Sequence, residues 1–245
     1  AETCNGLDDD CDGLSDEGTG WSDDPLNNNV LCADCQPLNL EAISDGAGGM
    51  IVAWQFDPGG GARDLYVQRI SADGIPLWGN NGVAVCTAPN NQHWQKLVSD
   101  GAGGALVVWT DEMNNSSDIY AQRINNVGEA QWAADGVPVC VNATFSKLYP
   151  DLCADGIGGA FLIWQDHRFG LSIPQIFGQR LDADGNAQWA VNGLALTGSS
   201  CGNLLPSGTN KITPDGSGNF IVSFQRDACT SGSAGLSQVM AQKMD

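Results

Sequence analysis

"DGAGGMIVAW" (residues 45–54) decides how the chain is read, because it returns three times. It recurs as "DGAGGALVVW" (100–109), "DGIGGAFLIW" (155–164) and, more loosely, "DGSGNFIVSF" (215–224). The aromatic that ends it steps from Trp54 to Trp109, Trp164 and Phe224, spacings of 55, 55 and 60 residues. A second stretch follows each copy: "DLYVQRI" (64–70), "DIYAQRI" (118–124), "QIFGQRL" (175–181) and "QVMAQKM" (238–244). A third follows the first three: "ADGIPLWGNNGVAVC" (72–86), "NVGEAQWAADGVPVC" (126–140) and "ADGNAQWAVNGLALT" (183–197). Self-similarity at a fixed period is the mark of a repeat architecture.

Within each unit, short runs of β-branched and aromatic residues alternate with Gly, Asn and Asp turns. Such runs suit a pleated, half-buried surface, and the Gly-rich turns tolerate positive φ. No segment carries capped helical periodicity. The fold class is therefore all-β, and four units of about four strands each predict a small, four-bladed β-propeller. A stacked solenoid would have a shorter turn.

The units run at about 27–81, 82–135, 136–192 and 193–245, within a repeat domain of residues 20–245. The fourth ends after "QVMAQKM" without the "W…GVxVC" segment. Trp21 and "NNNVLC" (27–32) resemble that missing piece, so residues 20–32 are expected to supply the strand that completes the last blade. They could do so in the same molecule, leaving no open edge, or in a neighbour, giving a head-to-tail polymer.

Composition narrows the partners. The 245 residues carry 29 acidic and 10 basic side chains, a formal net charge of −19, which disfavours nucleic acid and anionic membranes and suits divalent cations. No apolar run is long enough to cross a membrane as a helix. Nine Cys, few Lys and a start at Ala1 just before a motif, as in a processed product, place the protein outside the cell or on its surface.

Residues 1–19 form a separate acidic loop, "ETCNGLDDDCDGLSDEG" (2–18). Asp8, Asp10 and Asp12 alternate, Gly13 permits a sharp reversal, and Asp16 follows, matching the first nine positions of an EF-hand-type calcium loop. Leu14 would offer its carbonyl, and Glu17 would replace the bidentate Glu, whose place falls on Thr19. Hard oxygen ligands favour Ca²⁺. A disulfide between Cys4 and Cys11, which bracket the loop, would hold the carboxylates together. The stretch resembles the short MopE-type metal-binding motif of bacterial secreted and surface proteins. That resemblance, confined to residues 2–18, implies a metal site, and the repeats are similar to extracellular bacterial repeats that accompany it.

Other candidates read as structure. "SADGIPLW" (71–78) resembles the Asp-box hairpin of sialidase-type propellers, a turn remote from catalysis. His93 and His167 have no second ligand at zinc spacing. Asp166, His167 and Arg168 of "WQDHRF" read as ordinary loop charges. The cation that ends each "QR" or "QK" pair is expected to bridge to a turn acid, with Asp73 and Asp184 as partners. Cys32, Cys86 and Cys140 occupy equivalent positions on different blades and should not pair with one another, whereas Cys201 and Cys229 could staple the fourth unit. Cys32 and Cys35 of "CADC" lack the strand-to-helix context of a redox site.

The leading expectation is a secreted, non-enzymatic, calcium-binding structural or adhesive module, able to self-associate into a fibre through its N-terminal strand. The alternative is a carbohydrate-binding propeller with its ligand in the central channel or between blades. A glycan-active enzyme comes third.

Overall fold

Among the described residues, fifteen strands form in the order that the repeats dictate. The computed structural model describes residues 21, 29–33, 35–57, 59–112, 117–141, 144–170, 174–198, 209–227 and 237–244. The acidic loop with Asp8, Asp10, Asp12, Leu14, Asp16, Glu17, Cys4 and Cys11 lies outside them, as do Cys201 and Cys229. Strands β1 (Pro37–Ser44), β2 (Met50–Phe56), β3 (Asp64–Ile70) and β4 (Val83–Cys86) make the first antiparallel sheet. The second holds β5 (Gln92–Ser99), β6 (Ala105–Asp111), β7 (Asp118–Ile124) and β8 (Val137–Cys140). The third holds β9 (Lys147–Ala154), β10 (Ala160–Asp166), β11 (Gln175–Leu181) and β12 (Leu194–Ala195). The fourth has three strands, β13 (Lys211–Pro214), β14 (Phe220–Asp227) and β15 (Ser237–Met244). The all-β, four-bladed expectation is met, with no helix among the described residues.

The "DGxGG" turns join the first two strands of each blade, and their acids are the first structural fixtures. Asp45 accepts the backbone N–H of Ala47 and Gly49 at 2.8 Å each, and its other oxygen takes Arg69 Nε and Nη2 at 3.0 and 2.9 Å. Asp100 with Arg123, Asp155 with Arg180 and Asp215 with Lys243 repeat the clip at 3.0, 3.0 and 2.7 Å. The repeated cations therefore bridge to turn acids as expected, but to Asp45, Asp100, Asp155 and Asp215. Asp73 and Asp184 are not their partners, because the third strand runs antiparallel to the second and ends beside the first turn. Burial alone would raise the Asp45 pKa, but its backbone donors and Arg69 outweigh it and hold the carboxyl below the usual range.

The Gln before each cation fixes the next turn. Gln68 donates Nε2 to the Gly79 carbonyl at 2.7 Å and accepts the Trp78 backbone N–H at 2.8 Å. Gln122 and Gln179 do the same to Ala133 with Trp132 and to Ala190 with Trp189. All three Gln side chains are buried. The hairpin at 71–78 is structural, as its Asp-box likeness implied. Ser71, however, not Asp73, supplies the oxygen that accepts the turn N–H groups.

Hydrophobic cores form between blades rather than within them. Val85 and Cys86 of β4 pack with Val107, Trp109 and Ile124 of the second blade. Val139 and Cys140 of β8 pack with Leu162, Trp164 and Leu181 of the third. Leu196, just after β12, packs with Ile212, Phe220 and Phe224 of the fourth. Trp78 Nε1 donates to the Asn126 carbonyl of the next blade at 3.1 Å, and Trp132 to Ala183 at 3.0 Å. The indole of Trp78 lies so flat on the next hairpin that a Cβ at Gly128 would sit 2.8 Å from it.

Two substitutions in one turn separate steric from conformational cost. A Cβ at Gly104 would meet the Ile124 carbonyl oxygen at 2.2 Å, whereas one at Gly101 meets nothing within 4 Å but carries φ of +78°. Gly104→Ala should destabilise by about 2–4 kcal/mol and Gly101→Ala by about 1–2 kcal/mol. Urea denaturation measures both, and the reverse ranking would contradict the packing described.

Candidate functional site at the blade axis

The innermost strands β1, β5, β9 and β13 run side by side in that order, and each of the first three is broken at one place. The register with the second strand slips between Leu38 and Glu41, between His93 and Lys96, and opposite Ile163–Gln165 in the third blade. At each slip one residue has left-handed φ: Asn39 at 50°, Trp94 at 49° and Tyr149 at 55°. A bulge of this kind turns a side chain out of the sheet, and such a backbone costs on the order of 1–3 kcal/mol in Trp or Tyr. The three lie six residues before Asp45, Asp100 and Asp155. They are one repeat position, used to aim side chains at the axis.

Residues at and after this position line a single cavity of about 330 Å³ drawn from all four blades. Trp94, 39% exposed, and Tyr149 form its aromatic wall, their rings tilted with centroids 5.0 Å apart. His93 backs Trp94 at 5.4 Å and is held by Glu112 at 3.3 Å. The position two residues after the bulge is Glu41, Lys96, Asp151 and Lys211 in successive blades, so charge alternates around the axis. Lys96 is ion-paired to Glu41, and Lys211 Nζ lies 3.5 Å from Asp151.

The position between them supplies a floor of amides. Gln95 Nε2 donates to the Asn39 carbonyl and its Oε1 accepts Gln55 Nε2 at 2.9 Å, while Asn39 Nδ2 donates to Gln55 Oε1 at 3.0 Å. Two blades on, Asn210 Nδ2 donates to the Tyr149 carbonyl at 2.9 Å and its Oδ1 accepts Gln165 Nε2 at 3.3 Å. Pro150 and Leu40, at the intervening places, cannot repeat this pattern. The axis thus has an approximate two-fold arrangement, with blades one and two joined as blades three and four are. Burial is the largest influence on Asp151 and raises its pKa against the pull of Lys211 and two backbone N–H groups. Burial also leads at Lys96, lowering its pKa, with the Lys211 charge adding to it.

The other candidates are structural, but Asp166 and His167 are not the ordinary loop charges expected from the sequence: Asp166 ends β10 and both are buried. Asp166 is fully buried and accepts Trp164 Nε1 at 2.9 Å and the Arg168 guanidinium at 2.7 Å, with Arg168 lying 3.8 Å over the Phe177 ring. His167 is buried. Cys86 and Cys140 are free, buried thiols that do not pair with Cys32; Cys32 is joined to Cys35 instead. Burial pushes Cys140 up to about 12, so it has no thiolate character. Sequence reading alone does not single out the axial residues. A signal is nonetheless present: aligning the units on the turn Asp gives the columns Asn-Leu-Glu, Trp-Gln-Lys, Tyr-Pro-Asp and Thr-Asn-Lys.

No family profile matches the chain, and no curated protein does. Solved structures of related shape include a thermostable family-43 glycoside hydrolase, 13% identical, TM-score 0.48, covering 84% of this chain and 71% of that one. An endo-arabinase from Bacteroides thetaiotaomicron VPI-5482 is 13% identical, TM-score 0.47, over 91% of this chain and 78% of the other. An N-acetylgalactosamine deacetylase from F. plautii, in complex with blood group B trisaccharide, is 9% identical, TM-score 0.45, over 95% and 79%. At these identities the likeness concerns the fold. The leading expectation, a non-enzymatic structural or adhesive module assembling into a fibre, is corrected to this extent: the neighbours of this shape are themselves enzymes of glycan chemistry, not structural modules.

Asp151 gives a pH-dependent prediction. Its carboxyl holds a proton more tightly folded than unfolded, so the folded state loses stability relative to the unfolded as pH rises from about 4 through the raised folded value. Asp151→Asn lacks this loss. Thermal melts should show the stability of wild type relative to Asp151→Asn falling as pH rises through that window, and a constant difference would contradict the assignment.

Proposed function

We propose that the axial cavity is a carbohydrate-binding site in a protein of the cell surface or extracellular space. The observation that carries this is the Trp94–Tyr149 wall beside a ring of amide and charged side chains. A pyranose has one apolar face, which lies well on an indole, and an equator of hydroxyls that both donate and accept. Concave sites with aromatic surface and a few convergent polar groups are the usual form of a small-ligand site. The buried amide floor is already hydrogen-bonded, so Trp94, Glu41, Lys96 and Lys211 are held in place before ligand arrives. Left-handed backbone at Trp94 and Tyr149 points the same way, because such strain persists where a side chain must be aimed.

Glycan-array binding followed by calorimetry on the best saccharide tests the reading. Trp94→Ala should weaken binding roughly 10- to 100-fold, about 1.5–3 kcal/mol, with the melting temperature little changed because Trp94 is partly exposed. No binding across neutral and acidic glycans, or equal binding by Trp94→Ala, would remove the proposal.

For the acidic loop the reading rests on the spacing of Asp8, Asp10, Asp12, Asp16 and Glu17 and on the MopE-type likeness of residues 2–18. These residues would hold Ca²⁺, with the Leu14 carbonyl and a Cys4–Cys11 clamp. Calcium should raise the melting temperature of wild type, and Asp10→Ala should abolish the gain. Identical calcium responses in the two proteins would refute the ligand set.

A further inference from the structure

Three kinds of contact join the first blade to the second and the second to the third, and all three recur in front of the first blade. The first is the indole donor: Trp78 to Asn126 and Trp132 to Ala183 are matched by Trp21 Nε1 to the Ala72 carbonyl at 2.7 Å. The second is a backbone donor just after the outer strand. Thr87 N donates to Asp135 at 2.8 Å and Val141 N to Asn192 at 3.0 Å, and Ala33 N donates to Asn81 at 3.1 Å. The third is apolar: Leu31 and Cys32 pack on Val52, Trp54 and Ile70 as Val85–Cys86 and Val139–Cys140 pack on the following blades. Residues 21 and 29–33 therefore sit on the first blade as the outer segment of a preceding blade.

Among the described residues, the fourth blade has no such segment of its own beside β15. The outermost strand of the fourth blade, β15, has no partner on its far side among the described residues. Leu65, Ile119 and Ile176 are 0% exposed, whereas Val239, at the same repeat position, is 81% exposed. An open edge and an uncovered Val are the two liabilities that an added strand removes. Residues 29–33 have the sequence, and the docking on the next blade, that such a strand requires.

We infer that Asn29–Cys32 form the fourth strand of the last blade by pairing with β15 of the same chain, closing the four blades into a ring. Register follows from the repeats. Cys86 pairs with Leu65 and Ala84 with Tyr66; Cys140 pairs with Ile119 and Pro138 with Tyr120. Phe224–Met240 is equivalent to Trp54–Tyr66. Cys32 then lies opposite Val239, and Val30 opposite Met240. Closure draws the first and fourth blades together, which sets the distance of Lys211 from Glu41 across the axial cavity.

The test is a cross-link in the full chain. The double variant Val30→Cys, Met240→Cys is oxidised and its disulfides mapped by mass spectrometry, with hydrogen exchange of the wild type alongside. A disulfide between the two introduced thiols, in a particle of monomer mass, is expected, together with β15 amides protected at least tenfold more than in a Val30→Pro variant. The same bond in dimers or longer chains would overturn the inference in favour of exchange between molecules. If no bond forms, and Val30→Pro leaves β15 exchange unchanged, the edge is open and the inference fails. The Val30→Pro comparison uses no engineered thiol, so misfolding of the double variant cannot hide the answer.

Discussion

The Trp78 indole on the Asn126 carbonyl, repeated by Trp132 on Ala183 and Trp21 on Ala72, ties three outer segments to the turn of the following sheet. Because a tryptophan lies flat on that hairpin, the neighbouring glycine has no room for a side chain, and the Val–Cys pair that follows is delivered to the next sheet's face. The cores are consequently shared: the largest buried side chains, Trp78, Trp109 and Trp164, all stand at blade junctions. One blade alone would leave a face of its sheet in water, so a blade is stable only in company. The Asp–Arg clips work at shorter range, fixing the turn that the tryptophan of the previous blade must find.

Much of this can be read in the sequence, because the scaffold is repetitive and repetition averages away local ambiguity. "DGAGG" and "QRI" recur with the spacing of paired strands, and the clip between them needs an acid and a cation at fixed places. Choosing among the acids by sequence distance fails for a physical reason. Asp73 is nearer Arg69 in sequence, but antiparallel pairing of β2 with β3 brings Arg69 back to Asp45. The axial site is illegible for the opposite reason. Asn39, Trp94 and Tyr149 look like ordinary strand residues until the bulge that turns them is seen, and a bulge has no compositional mark when its left-handed residue is aromatic. Alternation of Glu41, Lys96, Asp151 and Lys211 can be seen only when the four units are stacked in register.

Cysteine chemistry shows how one repeat position takes on different chemistry. Cys86 and Cys140 are buried at equivalent places and remain thiols, each near a buried Asp and with its pKa raised first by burial. Cys32 holds the same place before the first blade but has Cys35 three residues away, and the two are bonded. Phe56 stands where the other blades have Asp111 and Asp166, so the Trp54 indole N–H lacks the carboxylate that its counterparts use. The first blade thus keeps the packing of its siblings while losing their polar link.

The clips and the indole donors are made by residues other than the bulge residues, and this separation has an evolutionary meaning. A change of side chain at 94 or 149 alters what lines the cavity without touching the clips or the indole donors, which other residues make. Asn, Trp, Tyr and Thr occupy the four places in this one chain, a spread that no junction position shows. The molecule is in effect a socket with exchangeable pins. On the proposed saccharide reading, preference can be redesigned at Trp94 and Tyr149 with the clips and the indole donors left intact.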